Sequence, residues 1–201
     1  MFTAPPFSSR SFTDKAHLRR QLRQLRKNLP KPVRQKAEQR INALAKKTIK
    51  RGKNIGVYWA VGSELCLHSF IQAALKRGAN IYLPYIERQQ KRLWFTPYPQ
   101  HSGSLKTKVH NIPQYSGKKI RAHRLHTLFV PLVGLDQQGY RLGQGGGYYD
   151  CTLAACQHRL QPKIIAAAFA CQTVQKIPYE PHDYRVNAWI GEYGYHRFQA
   201  A

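Results

Sequence analysis

Acidic side chains are scarce in this chain of 201 residues, which has nine Asp and Glu against 33 Lys and Arg. The net charge of +24 attracts polyanions such as nucleic acids, nucleotides and acidic metabolites. Charge alone does not distinguish a binding surface from a solvated basic surface. No RRM, KH, zinc-finger or helix-turn-helix signature accompanies it. A nucleic-acid-binding protein is therefore an alternative that rests on charge alone.

Cysteines and long apolar runs are also few. The four cysteines form no C-x-x-C pair, which argues against a zinc site and against a disulfide scaffold. The longest apolar runs, residues 128–135 and 164–171, are too short to cross a bilayer. Residues 1–13 contain no apolar segment typical of a secretory signal. We therefore predict a cytoplasmic protein that is not membrane-bound, and we expect a monomer.

Hydrophobic patterning predicts two amphipathic helices and then alternating strands and helices. Leucines three or four residues apart predict a helix over residues 14–28, and Pro30 and Pro32 separate it from a second helix that reaches about residue 50. Residues 99–126 are predicted to form a loop that can include short helical turns. The order favours an α/β fold with a mostly parallel sheet, in one domain over residues 14–201 after a flexible N terminus, residues 1–13. The predicted strands are residues 54–60, 80–86, 92–97, 127–133, 163–170 and 186–191, and the later helices are residues 67–77 and 148–160.

A glycine-rich loop follows one of the predicted strands and has four glycines within residues 143–147. Glycine allows backbone N–H groups to approach an anion closely, and a helix predicted to begin at Tyr148 adds further N–H groups. No Lys-Ser/Thr pair follows, so the loop is not a P-loop, and about nine residues separate it from its strand, unlike a Rossmann fingerprint. The glycines alone leave a phosphate site and a flexible turn as alternatives. Arg141 and Asp150 favour phosphate and magnesium respectively.

The run from Pro131 to Asp150 resembles the central motif of the 5-formyltetrahydrofolate cyclo-ligase family, also called methenyltetrahydrofolate synthetase. It contains Asp136, Gly139 and the sequence R-L-G-Q-G-G-G-Y-Y-D. Other segments resemble the family in the same order, over about residues 15–190. They are the K-x-x-x-R pair Lys15 and Arg19, Y-W-A-V-G-S-E at residues 58–64, Leu83-Pro84, and H-D-Y-R-V-N at residues 182–187.

The resemblance implies a three-layer α/β fold similar to ribose-phosphate isomerases and CoA transferases. It also implies ATP- and Mg²⁺-dependent closure of 5-formyltetrahydrofolate, including its polyglutamylated forms, to 5,10-methenyltetrahydrofolate with release of ADP and phosphate. Asp150 and Asp183 would hold magnesium, and Arg141 and Tyr148 would act in catalysis. The residues implied for ATP are Lys15, Arg19, Arg141, Leu142, Gly143, Gln144, Gly145, Gly146, Gly147, Tyr148 and Tyr149. Those implied for folate are Trp59, Glu64, Gln144, Gly145, Gly146, Gly147 and Tyr148.

Several positions depart from the family pattern. Many members have Arg and Lys where this chain has Gln144 and Gly146, so other basic residues must supply that charge. Asn187 replaces the usual Asp, Cys151 replaces a basic residue, and the family's loop Glu near Gln114 is missing. A second alternative is therefore another ATP or sugar-phosphate enzyme on the same fold, which would keep the glycine loop without needing the segment around Glu64.

Overall fold

The computed structural model describes residues 14–99, 105–109, 111–156, 162–180 and 183–199. The N terminus predicted to be flexible, residues 1–13, lies outside these ranges. So does His182 of the H-D-Y-R-V-N segment. Within the described ranges, the division into one domain over residues 14–201 stays a prediction.

Two helices open the described chain, as the sequence predicts. Helix α1 is Lys15–Lys27, and the Asp14 carboxylate caps it by accepting hydrogen bonds from the backbone N–H groups of Ala16 and His17 at 2.8 and 3.1 Å. Helix α2 is Lys31–Ala45, with Pro32 in its first turn, where a missing N–H group is tolerated. A short 3-10 helix, Lys46–Thr48, continues α2, so the α-helical part ends earlier than predicted.

Seven strands form one large sheet. They are β1 Asn54–Gly56, β2 Asn80–Tyr85, β3 Trp94–Pro97, β6 Thr127–Val130, β9 Lys163–Ala167, β11 Ala188–Gly191 and β12 Gly194–Arg197. Their order in the sheet is β12-β11-β9-β6-β1-β2-β3. The five inner strands are parallel, while β3 and β12 pair antiparallel at the edges, which confirms the predicted α/β fold with a mostly parallel sheet.

Helices cover both faces of this sheet. Successive strand side chains point to opposite faces, so Phe129 packs with α2 and with α3, His68–Lys76, whereas Leu128 and Val130 pack on the other face. That second face is covered by α4, Tyr148–Ala154, and by a 3-10 helix, Ala122–Arg124. The result is three layers, with the helix layers buried against both sides of one sheet.

A separate small sheet carries the glycine loop. Its strands are β7 Gly134–Asp136, β8 Arg141–Leu142 and β10 Thr173–Val174, in the order β10-β7-β8. Leu18 and Leu22 of α1 pack against Val133 and Leu142. Because these leucines share one face of α1, their burial fixes the rotation of the helix and presents its neighbouring basic residues to the glycine loop.

The structure corrects several predicted boundaries. Residues 99–126 are not simply a loop, because β4 Leu105–Val109 and β5 Ile112–Tyr115 form an antiparallel hairpin. The predicted last strand is followed by β12, which the sequence reasoning missed. Helix α4 ends at Ala154 rather than near residue 160, and residues 157–161 are outside the described ranges. Among the described residues, no helix is both long enough and apolar enough to cross a membrane.

Candidate active site

A cavity of about 660 Å³ lies where the parallel strands β1, β2 and β6 end. Tyr58 and Trp59 follow β1, Pro84 belongs to β2, and Pro131 follows β6, so the cavity is at the carboxyl edge of the sheet, where ligands of open α/β folds bind. Every residue that the resemblance assigned to a ligand lines this one cavity. They are Lys15, Arg19, Trp59, Glu64, Arg141, Leu142, Gly143, Gln144, Gly145, Gly146, Gly147, Tyr148, Tyr149, Asp150 and Asp183.

The glycine loop connects β8 to α4 and forms one wall. Gly145 and Gly147 have φ angles of 102° and 71°, which side-chain-bearing residues rarely adopt. Gly147 is the residue just before α4, and its left-handed conformation lets the chain turn abruptly from the loop into the helix. These backbone angles explain why glycine is needed at both positions, and the missing side chains there leave space in the cavity.

Two basic residues of α1 approach the loop. Arg19 donates a hydrogen bond from Nε to the carbonyl oxygen of Gly143 at 2.9 Å. The Lys15 ammonium lies 2.7 Å from Asp183 Oδ2 and 3.3 Å from Glu180 Oε2. Burial lowers the pKa of Lys15, but hydrogen bonding to Asp183 and Glu180 and their charges outweigh burial and raise it. Lys15 is therefore a stable cation at the cavity wall.

Arg141 is the most deeply placed cation of the cavity, because its side chain is only 3% exposed. One of its terminal nitrogens, Nη2, lies 2.5 Å from Asp150 Oδ1, and Asp150 is 23% exposed. Its Nε is buried and has no hydrogen-bond partner among the described residues. An unpaired buried donor is unusual, because leaving one unsatisfied is unfavourable. The Arg141 side chain thus has capacity to bind a ligand oxygen.

A chain of polar contacts spans the mouth of the cavity. Gln144 donates from Nε2 to Glu64 Oε1 at 2.9 Å, and its own Oε1 accepts from Arg23 Nη2 at 2.8 Å. The second Glu64 oxygen accepts from the backbone N–H of Val61 at 3.0 Å. The Glu64 carboxylate is therefore fixed in position between two elements.

Sequence reasoning missed Arg23. It lies one helical turn after Arg19, and the spacing of Lys15, Arg19 and Arg23 in steps of four could have indicated a shared face. Its guanidinium contacts both the side-chain and backbone oxygens of Gln144. Arg23 thus provides a positive charge beside the loop at a position where many family members have a charged side chain in the loop itself.

Part of the cavity wall is apolar and aromatic, and of its residues the sequence predicted only Trp59 as a ligand contact. Ile86, Leu93 and Ile112 also line the cavity. Ile112 belongs to the hairpin that was predicted as loop. The Tyr58 hydroxyl donates to Leu65 O at 2.8 Å, and burial together with the negative charge of Glu64 raises the Tyr58 pKa. Tyr58 is therefore a neutral, fixed part of this wall.

Two of the departures from the family pattern have structural roles. Gln114 is buried, and its Oε1 accepts from the backbone N–H of Ile86 at 2.7 Å, which positions the apolar wall. Asn187 Oδ1 accepts from the backbone N–H of Ile164 at 2.6 Å and does not line the cavity. Neither the Gln114 nor the Asn187 side chain lines the cavity.

The two carboxylates predicted to hold magnesium, Asp150 and Asp183, both line the cavity, and each is already in contact with a cation. In the described part of the chain, no three His, Cys, Asp or Glu side chains cluster as a metal site. Magnesium keeps several waters and commonly takes one or two protein carboxylates with substrate phosphates, so two aspartates beside a phosphate loop fit it. The metal role of both residues stays a prediction.

Comparison with known proteins gives concordant results. Residues 11–192 match the model of the 5-formyltetrahydrofolate cyclo-ligase family. The 5-formyltetrahydrofolate cyclo-ligase of Haemophilus influenzae is 32% identical over 178 residues, which are 83% of this chain and 91% of that protein. In fold, the chain is similar to the 5,10-methenyltetrahydrofolate synthetase of Mycoplasma pneumoniae, with a TM-score of 0.73 at 23% identity over 90% of this chain and 99% of that one. The Aquifex aeolicus synthetase gives a TM-score of 0.76 at 22% identity, over 93% and 94% of the two chains.

The order of the motifs, their convergence on one cavity and the extent of these matches lead to the same conclusion. The family match covers both α1 with its basic residues and the glycine loop, which lie far apart in the sequence and meet in the structure. The chain belongs to the 5-formyltetrahydrofolate cyclo-ligase family.

Proposed function

We propose that this protein uses ATP and Mg²⁺ to convert 5-formyltetrahydrofolate into 5,10-methenyltetrahydrofolate, with release of ADP and phosphate. The observation that supports this most directly is that Lys15, Arg19 and Arg141 line the same cavity as the glycine loop and a group of apolar side chains. The cationic side suits a polyphosphate, and the apolar side suits a flat ring system. One cavity can therefore bring both ligands into contact.

The chemistry of ring closure explains why cations rather than a nucleophile line the site. When bound, ATP supplies a phosphoryl group to the formyl oxygen, which then leaves as phosphate as the second folate nitrogen bonds to the formyl carbon and releases its proton. Lys15 and Arg19 would bind the phosphates from the α1 side. Arg141 would donate from Nε to an oxygen that gains negative charge in the transition state, and Tyr148, at the start of α4, would be the second catalytic residue. Such groups stabilise the transition state because they are already fixed in place.

The folate side would be organised by Glu64 and Trp59. Because Gln144 and Val61 hold both oxygens of the Glu64 carboxylate, this group is a fixed acceptor for N–H groups of the folate ring. Trp59 and the apolar wall would contact the faces of the ring. Gln144 would bridge the two ligand regions, because it belongs to the glycine loop and contacts Glu64.

The reaction itself is the first test. Formation of the methenyl product should be visible by its absorbance when protein, 5-formyltetrahydrofolate, ATP and Mg²⁺ are combined. Omission of ATP, or removal of divalent metal with a chelator, should abolish product formation, and ADP should appear in equal amount. Product formation without ATP, or no product under any of these conditions, would contradict the proposed reaction. ADP release with another acceptor would instead support the alternative of a different ATP enzyme on this fold.

Asp150 provides a test of the metal assignment. The Asp150→Asn variant should need a several-fold higher Mg²⁺ concentration for half-maximal activity, because an amide keeps the size but loses the charge that a hard cation prefers. Activity is measured across a Mg²⁺ series at constant ATP. Asp136→Asn is an unsuitable control because that carboxylate is buried and holds three backbone N–H groups. Glu38→Gln, outside the cavity, is the matched control and should leave the Mg²⁺ dependence unchanged.

The positive field predicts a preference among folate substrates. Each added glutamate brings a negative charge, so KM should be lower for polyglutamylated than for monoglutamylated 5-formyltetrahydrofolate. The difference should shrink between 50 and 500 mM salt, because screening limits such attraction to about 10 Å at 0.1 M salt. Measuring both KM values over this series tests the prediction. A difference that does not depend on salt would indicate specific contacts instead of the general field.

A location in the cytoplasm and a monomeric state complete the proposal. Size-exclusion chromatography with light scattering measures the second directly, with an expected mass near 23.2 kDa.

A further inference from the structure

A second cavity, of about 550 Å³, lies at the opposite edge of the large sheet. Lys53 precedes β1, His126 and Thr127 are at the start of β6, and Lys163 begins β9, so the cavity is at the amino ends of the parallel strands. The candidate active site is at their carboxyl ends. The two cavities are therefore on opposite edges of one sheet and share no lining residue.

The lining of this second cavity is strongly basic. It contains five cationic side chains, and no carboxylate is among the described residues that line it. None of the five is in an ion pair found within the described ranges. Five like charges around one concave space repel one another, and a bound anion would relieve that repulsion. The five are Lys47, Lys50, Lys53, Lys163 and Arg197.

These charges come from different parts of the fold. Lys47 and Lys50 follow the carboxyl end of α2, where the helix dipole favours cations. That effect does not account for Lys163 on β9 or Arg197 on β12. Arg197 reaches this edge because β12 runs antiparallel to β11 and pairs Arg197 with Ala188, the first residue of β11. The tertiary fold thus gathers cations that are widely separated in sequence.

Further hydrogen-bond donors accompany the cations. His126 Nδ1 accepts from the backbone N–H of Asn54 at 3.1 Å, which leaves Nε2 as the protonated nitrogen and a donor. Tyr195 lines the cavity, and its hydroxyl is buried with no hydrogen-bond partner among the described residues. The Lys163 ammonium and the Arg197 guanidinium lie 5.3 and 6.0 Å from the centre of the Tyr195 ring. The cavity therefore offers several charges and donors, as an anion with many oxygens requires.

We propose that this second cavity is a binding site for a compact oligophosphate, such as a tripolyphosphate chain or the phosphates of a nucleotide. Its volume is that of a small-molecule site, and three linked phosphates bring about four negative charges into so small a space. Lysine binds phosphate as a point charge, and arginine binds it through paired N–H groups. The proposal does not depend on the reaction proposed for the first cavity.

The test is calorimetric titration of the full-length protein with tripolyphosphate. Because the phosphate loop of the first cavity also suits this ligand, titrations are made in the Lys15→Ala/Arg19→Ala background as well as in the wild type. In that background, adding Lys163→Gln and Arg197→Gln should weaken the remaining binding about 10-fold, as expected when two solvent-exposed charge contacts are lost. The matched control pair, Lys36→Gln/Lys91→Gln, removes the same amount of charge from exposed positions outside both cavities. It should weaken tripolyphosphate binding less than 2-fold.

A second measurement does not depend on variants. Acetylation of lysines by an amine-reactive reagent, followed by mass spectrometry, should be slowed by tripolyphosphate at Lys47, Lys53 and Lys163 and unchanged at Lys36. Equal effects of the two variant pairs together with equal acetylation at all lysines would overturn the proposal. Tighter binding of single-stranded oligonucleotide than of tripolyphosphate, lost with Lys163→Gln/Arg197→Gln, would also overturn it and assign the basic edge to nucleic acid.

Discussion

Arg141→Met should lower kcat by about 100- to 1,000-fold, the range found when one preorganised donor to a developing negative charge is removed. Arg141 is nearly inaccessible to solvent, and its Nε has no hydrogen-bond partner among the described residues. Among the described residues, no other side chain that lines the cavity has a buried donor without a hydrogen-bond partner. Steady-state kinetics of methenyl product formation would measure the change in kcat.

Stability must be separated from catalysis in this experiment. Arg141→Met leaves the Asp150 carboxylate without its cation, which is destabilising because the group is mostly buried. The double variant Arg141→Met/Asp150→Asn removes the charge from both partners and should recover much of the lost Tm. At saturating Mg²⁺, its kcat should still lie far below that of Asp150→Asn alone. Arg185→Met removes a half-buried arginine that contacts the backbone oxygen of Gln138 outside the cavity, and kcat should be unchanged. Recovery of kcat in the double variant would show that Arg141 acts only by supporting the fold.

The second large effect is expected on ATP affinity. Lys15→Ala and Arg19→Ala should each raise the Kd for ATP about 10- to 100-fold, as expected when a charge-assisted hydrogen bond to phosphate is lost. Lys15→Ala also removes the ammonium group that contacts Asp183 and Glu180 at the cavity wall, which makes this part of the wall more negative. Equilibrium titration with ATP and, separately, with 5-formyltetrahydrofolate measures both affinities.

The comparison of the two ligands makes this second prediction specific. The Kd for folate should change less than about 2-fold, because neither Lys15 nor Arg19 contacts Glu64 or Trp59. Arg20→Ala is the matched control, since Arg20 is on the same helix but exposed and outside the cavity. Equal small changes for Lys15, Arg19 and Arg20 would mean that these residues form an ordinary solvated face of α1.

The helix face and the glycine loop of the site could be predicted from the sequence, because each depends on residues that are close together in the chain. The steps of three and four between leucines define the buried face of α1, and the same geometry places Lys15 and Arg19 beside each other. The glycines of residues 143–147 indicate backbone conformations that other residues avoid, and two of them do have positive φ. Strands were predicted where apolar, β-branched runs occur, although β1 and β6 prove shorter than predicted.

The hairpin β4–β5 shows where such rules fail. Residues 99–126 are polar and weakly periodic, so no pattern indicated strands there. Pairing between β4 and β5 supplies the backbone hydrogen bonds that the side-chain pattern did not predict. The hairpin thereby brings Ile112 into the cavity wall. Its residue Gln114 also holds the backbone of Ile86, another residue of that wall. This apolar surface was missed because it depends on contacts between segments and not on the pattern within one.

The sequence by itself determined the family, the glycine loop and the amphipathic face of α1, because backbone angles and helical periodicity depend on near neighbours in the chain. Only the tertiary structure placed Lys15 against Asp183, 168 residues away, and Arg23 against Gln144, 121 residues away. It also decided that Lys53, Lys163 and Arg197 surround one cavity at the amino edge of the sheet. Strand order and direction decide which distant residues meet at an edge, and that order follows from how all the apolar faces are buried together.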